Sequence, residues 1–396
     1  VKRGRKRFGR VVVIILDGVG VGELPDAAAF GDAGSDSMGN VVKARGRLRL
    51  PHLAARGLNR VTTLPGYEDV AVAGAFGKMK MASAGKDSTS GHWEIAGVIL
   101  KDNFPVFPQG FPREAVEMLR AATGRDFIGN RAASGTEIIA ELGEEHLRTG
   151  ALILYTSADS VCQIAAHVAV VPLEELYAIG VKAREAMAGP YAVGRIIVRP
   201  FTGEAGSFDR LNEARRDYSV PPPVPTLLDE LKSAGYEVRG VGKVGDIFAG
   251  RGFTACRHTR DNAHGVSIVE AELGEPFEGL LLVNLNDTDT VYGHRNDVAG
   301  YAGALEDFDA ALPALESEME SDDLLLILSD HGNDPTTVST DHSREYVPLV
   351  AWHPRLTRGI DLGARETLAD AGQTVAENFG VGPLAAGSSF LNEIAY

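Results

Sequence analysis

Asp330-His331-Gly332-Asn333 and Asp341-His342 put two carboxylate–imidazole pairs in one short stretch, and Asp289 with His294 makes a third. Asp17, at the end of the apolar run VVVIIL, is a further acid of the same kind. Oxygen and imidazole donors without thiolates suit borderline divalent ions rather than soft metals. Two such ions about 4 Å apart can hold the attacking and the leaving oxygen of a phosphoryl transfer. The reading adopted gives Asp17, Asp330 and His331 to one ion, and Asp289, His294 and His342 to the other. The competing reading makes the histidines partners of buried polar groups. A lone aspartate at a strand end would favour it, whereas the assembled set favours metal.

The segment GKDSTSGHWEIAG, residues 85 to 97, adds a hydroxyl. Asp87 or Ser88 can cap a helix starting there, with Trp93 and Glu94 on its first apolar face. A helix start alone would explain the segment. Hydroxyls at a helix N-terminus also stand where a phosphoryl anion is favoured, and a metal can activate one as a nucleophile.

These groups need a scaffold. The runs at 11–16, 280–285 and 324–329 are continuously apolar, as in strands covered on both faces of a parallel sheet. Each is followed by acids, at the strand ends where open α/β sheets bind ligands. VPLVAW at 347–352 extends the series. Helical patterns at 226–235, 301–319 and 366–380 alternate with the strands, giving a sheet covered on both sides. The middle differs: helices near 113–122, 135–148 and 172–188 accompany strands at 151–156 and 194–201. An inserted α+β domain is therefore expected at 103–219, dividing a core of 1–102 and 220–396, with VPPPVP at 220–225 stiffening the return.

The 396 residues, 44% hydrophobic, can bury a large core in more than one domain. A net charge of -15 argues against nucleic acid and anionic lipid as partners. The basic start VKRGRKRFGR is expected to be a solvated tail, since the apolar run after it is too short to span a bilayer and no cleavage site follows. Cys162 and Cys256 are far apart, which disfavours a disulfide scaffold or a thiolate site, and both are expected in the core. A cytoplasmic location is expected, with no obligatory protein partner evident.

Across VVIILDGVGVGELPDAAAFGDAGSDSMGN, GKDSTSGHWEIAG, FPQGFP, IGNRAASGTEI, YTSADSVCQIAAH, VGRIIVRPF, GKVGDIF, DTDTVYGHRND, LSDHGNDP, STDHSREYVPLVAW and TVAENFG, the chain resembles bacterial phosphopentomutases of the alkaline phosphatase superfamily. The resemblance implies an alkaline-phosphatase-like core sheet flanked by helices, with an inserted α+β cap domain. It implies two manganese ions on the two ligand groups above, bridged by one hydroxyl. Where the family carries threonine in a KDT segment, this chain has Ser88 followed by Thr89, so Ser88 is the expected phosphoryl carrier and bridging metal ligand.

The implied reaction interconverts ribose 1-phosphate and ribose 5-phosphate, and the 2-deoxyribose esters, through a phosphoenzyme and a bisphosphate. Glucose 1,6-bisphosphate or a similar ester would prime it. Ser157, Asp159, Arg195, Arg210 and Lys243 are the implied holders of the sugar hydroxyls and the distal phosphate. Alternatives from the same ligand set are a metal-dependent phosphomonoesterase and a phosphoglycerate mutase. A non-enzymatic module binding metal and sugar phosphate is a third.

Overall fold

A computed structural model describes residues 6–157 and 160–395 and divides the chain into two compact units, one of 1–102 with 222–396 and one of 103–221. The first unit is built on an eight-stranded sheet. Its strands run in the order Ala255–Arg257, Glu237–Val241, Gly279–Leu285, Arg10–Leu16, Asp323–Leu328, Val347–Trp352, Gly74–Met79 and Gly359–Arg365. The first five are mutually parallel. Val347–Trp352 runs antiparallel to both of its neighbours. An apolar run buried on both faces carries no mark of strand direction, so this reversal was not legible in VPLVAW.

The central strands are buried along their whole length because helices cover both faces. On one face Val12, Ile14, Leu281, Val283, Leu325 and Ile327 join Met38, Val41, Leu53, Leu305 and Leu312 in one core. On the other, Val13, Leu280 and Leu282 meet Leu227, Leu228 and Val375. These come from the helices Leu227–Ser233 and Ala369–Phe379, which together with Val298–Ser317 occupy the stretches whose periodicity predicted them.

Two expectations are corrected here. The basic start is not solvated up to the strand: Phe8 is fully buried, and Arg10 is buried on Asp323, which accepts from its Nε at 3.1 Å. A charged residue at a strand end can be interior when a carboxylate on the adjacent strand pairs with it directly. Residues 1–5 of the expected tail lie outside the described residues. Cys256 is exposed, because it sits on the short edge strand Ala255–Arg257, whereas Cys162 is buried as expected.

The second unit has a six-stranded sheet ordered Phe127–Ala132, Leu152–Thr156, Val161–His167, Arg195–Glu204 and Ser207–Arg210, with Arg216–Ser219 also pairing with Arg195–Glu204. The helices Arg113–Thr123 and Leu173–Ala186 pack with Leu154, Ile164 and Val198 in one core. The helix Gly135–Thr149 packs Ile138 and Ile139 on Ile153, Ala165 and Phe201 in another. No helix of the described residues is long and apolar enough to cross a membrane.

Candidate metal centre

The parallel strands of the first unit deliver their acids to one end of the sheet. Asp17 directly follows Leu16, and its N–H donates to Leu285 O of the adjacent strand at 3.0 Å. Gly18 next to it takes a left-handed φ of 76°, and a Cβ there would stand 3.0 Å from Asp289 Cβ and 3.1 Å from Asn333 Cβ. The turn after the strand is thus both strained for a side chain and too crowded for one.

The residues of both expected ligand groups meet at this end of the sheet, where donors also gather as Asp17, His92 and Asp330 and as Asp17, Asp289 and His331. Asp289, His294 and His342 present donor atoms all within 4.8 Å of one another. His294 Nε2 lies 3.3 Å from Asp289 Oδ2, and His342 Nε2 lies 3.5 Å from Asp289 Oδ1. In the other group His331 Nε2 is 3.2 Å from Asp330 Oδ2 and 3.5 Å from Asp17 Oδ1. Donors separated in this way fit the edges of a coordination shell with bonds of about 2.1 Å. The rings of His331 and His342 are 4.1 Å apart, so the groups adjoin.

The outer hydrogen bonds fix which nitrogens face inward. His331 Nδ1 donates to Gly332 O at 3.0 Å, and His294 Nδ1 donates to Thr340 O at 2.6 Å. Each turns its Nε2 toward the cluster, the usual orientation of a ligating histidine. Asp17 Oδ1 and Asp330 Oδ2 are buried and are faced by imidazole nitrogens, His331 Nε2 at 3.5 Å from the first and His92 Nδ1 and His331 Nε2 at 3.0 and 3.2 Å from the second. Buried carboxylate oxygens gathered with imidazoles are the donor set of a borderline divalent cation.

The protein's own charges strain the same groups. Burial and the nearby Asp330 push Asp17 up, only partly offset by Lys243. Burial would raise Asp330 too, but His331 and His92 outweigh it and hold that carboxyl well below its usual range. His331, which burial would lower, is carried up to about 10 by Asp330, Asp289 and Asp17. His342 is forced down to about 3 by burial and by His331. Opposed shifts among neighbours at one sheet end mark a site built around charge.

Ser88 begins the helix Ser88–Ile95, and its cap is Asp87, which accepts from Ser90 N at 3.1 Å. Ser88 Oγ lies 3.1 Å from His331 Nε2 and accepts from Lys243 Nζ at 3.1 Å. Thr89, one residue on, has no bond to any of these groups. Gly91 lets the helix press against the strand end, since a Cβ there would stand 2.3 Å from Asp330 O. Glu94, fully buried, accepts from Ala82 N, Ser83 N and Leu368 N, which ties the turn before Ser88 to the core.

Lys243, expected with the sugar-binding arginines, stands instead in this cluster, with Nζ 2.8 Å from Asp17 Oδ2. Ser157, Arg195 and Arg210 are in the second unit, respectively just after a strand, at the start of one and at the end of one. Asp159 lies outside the described residues.

Three side chains in the cluster were not singled out from the sequence. His92 Nδ1 is 2.8 Å from Ser88 O and 3.0 Å from Asp330 Oδ2, and its Nε2 is 3.1 Å from Asn284 Nδ2. Asn284 also donates to Asp17 Oδ2 at 2.6 Å, and Asn333 donates to Asp289 Oδ1 at 2.7 Å. His92 could have been found from its place one helical turn after Ser88. Asn284 could have been found as the polar residue in LLLVNL.

The chain matches the Metalloenzyme superfamily over residues 9–383. It is 52% identical to the phosphopentomutase of Caldanaerobacter subterraneus subsp. tengcongensis, covering 97% of this chain and 98% of that protein. It is likewise 52% identical to the phosphopentomutase of Dictyoglomus turgidum, again covering 97% and 98%. A solved phosphoglycerate mutase of Leishmania mexicana aligns with 100% of this chain and 98% of its own, at 14% identity and a TM-score of 0.48.

Proposed function

Taking as premise that the chain belongs to the phosphopentomutases, metal-dependent isomerases that act on sugar phosphates, we propose that it moves a phosphoryl group between the C1 and C5 oxygens of ribose, and of 2-deoxyribose, by way of Ser88. The observation that carries this reading is the position of Ser88 Oγ. It is 3.1 Å from both His331 Nε2 and Lys243 Nζ, at the first position of a helix, beside two carboxylate–imidazole groups.

Divalent ions would be held by Asp17, Asp330 and His331 and by Asp289, His294 and His342, with Ser88 as a further ligand, and would neutralise phosphoryl oxygens and lower the pKa of the Ser88 hydroxyl. The remaining work belongs to the chain. Phosphorylated Ser88 gives its phosphoryl group to the free hydroxyl of the sugar monophosphate, so the Oγ–P bond breaks as the new O–P bond forms. The bisphosphate, bound the other way round, returns its other phosphoryl group to Ser88. One sugar hydroxyl loses a proton and another gains one, so the cycle balances.

Lys243 donates to Oγ as negative charge returns to that oxygen, the moment at which a fixed donor counts most. The helix N-terminus adds its partial positive charge to the same place. His92 holds Asp330 and the Ser88 carbonyl in register, and Asn284 holds Asp17.

The second unit acts as the cap in this reading. Ser157, Asp159, Arg195 and Arg210 bind the sugar hydroxyls and the phosphate not in transfer, the arginines through their planar donor fork. A cap keeps water from a bisphosphate that must turn or rebind before it reacts. Manganese is the proposed ion, glucose 1,6-bisphosphate or a similar ester the primer, and the cytoplasm the compartment.

The test is isomerisation of ribose 1-phosphate over a series of manganese, magnesium and cobalt with a bisphosphate primer, followed by peptide mass spectrometry. Phosphate on Ser88, lost together with turnover in Ser88→Ala, is expected. Phosphate on Thr89 with Ser88→Ala still active would overturn the assignment.

A further inference from the structure

Ser88 is carried by a stretch of chain without regular structure, residues 80–87, which joins the strand Gly74–Met79 to the helix Ser88–Ile95. Buried backbone groups outside a ladder must each find a partner of their own. On one side Glu94 accepts from Ala82 N at 2.8 Å and from Ser83 N at 2.6 Å, and Ala84 N donates to Leu100 O at 2.9 Å. On the other, one nitrogen of an arginine remote in sequence serves two carbonyls. Arg344 Nη1 donates to Ser83 O at 2.7 Å and to Gly85 O at 2.8 Å. A Cβ on Gly85 would stand 2.4 Å from Ser90 Oγ, so this turn is pressed against the start of the helix that bears Ser88.

Arg344 is buried and is itself fixed from several directions. Its Nε lies 3.3 Å from Asp26 Oδ1, its Nη2 lies 3.1 Å from Asp26 Oδ2, and its guanidinium stands 4.8 Å over the Phe30 ring. Its main chain is paired with the segment after Asp17: Leu24 N donates to Arg344 O at 3.0 Å, and Tyr346 N donates to Gly22 O at 2.8 Å. Arg344 N donates to Asp32 Oδ2 at 2.9 Å, and the same carboxylate accepts from Lys86 Nζ at 3.0 Å. The loop before Ser88 is thus tied to this segment twice, and His342 of the second ligand group lies two residues before Arg344. A guanidinium taken out of water destabilises the fold unless its donors are bonded. Here two of those bonds go to carbonyls of the loop that carries Ser88.

We propose that Arg344 is a positioning residue for the phosphoryl transfer: by holding the Ser83 and Gly85 carbonyls it sets Ser88 Oγ in register with the ligand group that contains His342. This rests on the reading of Ser88 as the phosphoryl carrier. The side-chain and main-chain bonds of Arg344 go to Asp26, Asp32, Ser83 and Gly85, so its effect on Ser88 passes through the main chain. Arginine suits the place because a planar fork can send Nη1 to two carbonyls while Nε and Nη2 face a carboxylate. Lysine keeps the charge but has one nitrogen for all of these partners. A nucleophile displaced by about 1 Å can lose about 10²-fold in rate. The loss falls on kcat, because the sugar phosphate is bound by other groups.

The test compares Arg344→Met and Arg344→Lys with Arg10→Met, which removes a buried arginine at the opposite end of the strand that leads to Asp17. Each full chain is loaded with manganese, and rates are taken per folded molecule. Arg344→Met should lower kcat for ribose 5-phosphate about 10²-fold and Arg344→Lys about tenfold, with KM within about threefold and manganese content as in the wild type. Priming by glucose 1,6-bisphosphate should phosphorylate Ser88 more slowly in both, whereas Arg10→Met, though less stable, should keep its kcat. Hydrogen exchange over residues 82–90 should rise in Arg344→Lys and stay unchanged in the helix Val298–Ser317. If Arg344→Met does not fold, Arg344→Lys decides. A wild-type kcat in Arg344→Lys, or a fall in kcat that tracks loss of manganese, would overturn the proposal. Absence of isomerisation by the wild type would instead refute the functional reading, and exchange over 82–90 would still decide whether Arg344 holds the loop.

Discussion

Lys243→Met separates two roles for one side chain, the distal-phosphate contact implied by its motif and the Ser88 partner that the geometry supports. The substitution keeps the unbranched stem and removes a donor 3.1 Å from Ser88 Oγ and 2.8 Å from Asp17 Oδ2. If Nζ stabilises charge returning to Oγ, its loss resembles removal of one oxyanion donor, about 10²- to 10³-fold in kcat or about 3–4 kcal/mol of barrier. KM should stay within about threefold, because the lost interaction strengthens only as the bond breaks. Metal content should hold or rise, since a cation beside Asp17 competes with any ion placed there. Steady-state isomerisation kinetics and metal analysis of the same samples read all three. A kcat within about threefold of wild type with KM raised tenfold or more would refute this reasoning and return Lys243 to the distal phosphate.

Asp289→Asn removes the carboxylate that faces both His294 and His342, so manganese bound per chain should fall from about two to about one, with transfer sharply reduced; anomalous scattering would show the depleted site. Arg10→Met leaves Asp323 buried without its cation and should cost about 3–5 kcal/mol in denaturant unfolding, a loss partly recovered by adding Asp323→Asn. His146 is held neutral: Nδ1 donates to Ala151 O at 2.6 Å, Nε2 accepts from His167 N at 2.9 Å, and burial depresses its pKa. A base depressed on folding contributes stability that is complete above its unfolded pKa, about 6.5, and is lost as pH falls toward the folded value. Melting temperatures from pH 7 to pH 5 should therefore fall more steeply for wild type than for His146→Gln, and equal slopes would remove His146 from the account.

Strands such as VVVIIL, LLLVNL and LLLILS were legible because a parallel strand buried on both faces must be apolar throughout, whatever it packs against. The acids after them were legible for a related reason: a strand end is where the chain can leave the core and bear charge. Asp17, Asp289 and Asp330 could thus be gathered with the histidines into one metal-binding set by residue type and strand-end position, whereas the motifs that resemble the phosphopentomutases supported the division into two ligand groups and carried the reaction. The strand GAFGKM, with two glycines and a lysine, has no such signal and takes its place only through its neighbours.

Tertiary structure decided what depends on distances between segments remote along the chain. Nothing in GKVGD states that Lys243 will reach Ser88, because that contact requires two loops to meet at one end of the sheet. The direction of Val347–Trp352 is likewise set by its partners, since hydrogen-bond pairing and not side-chain type fixes strand polarity. His92 and Asn284 read as ordinary polar residues until Asp17 and Asp330 are placed against them. Arg344 reads as one more charge in STDHSREYVPLVAW until Ser83 and Gly85 bring their carbonyls to its guanidinium. A sequence specifies which groups can be buried or charged, but the convergence of a site is a property of three-dimensional packing, and only the fold brings donors and acceptors within bonding range.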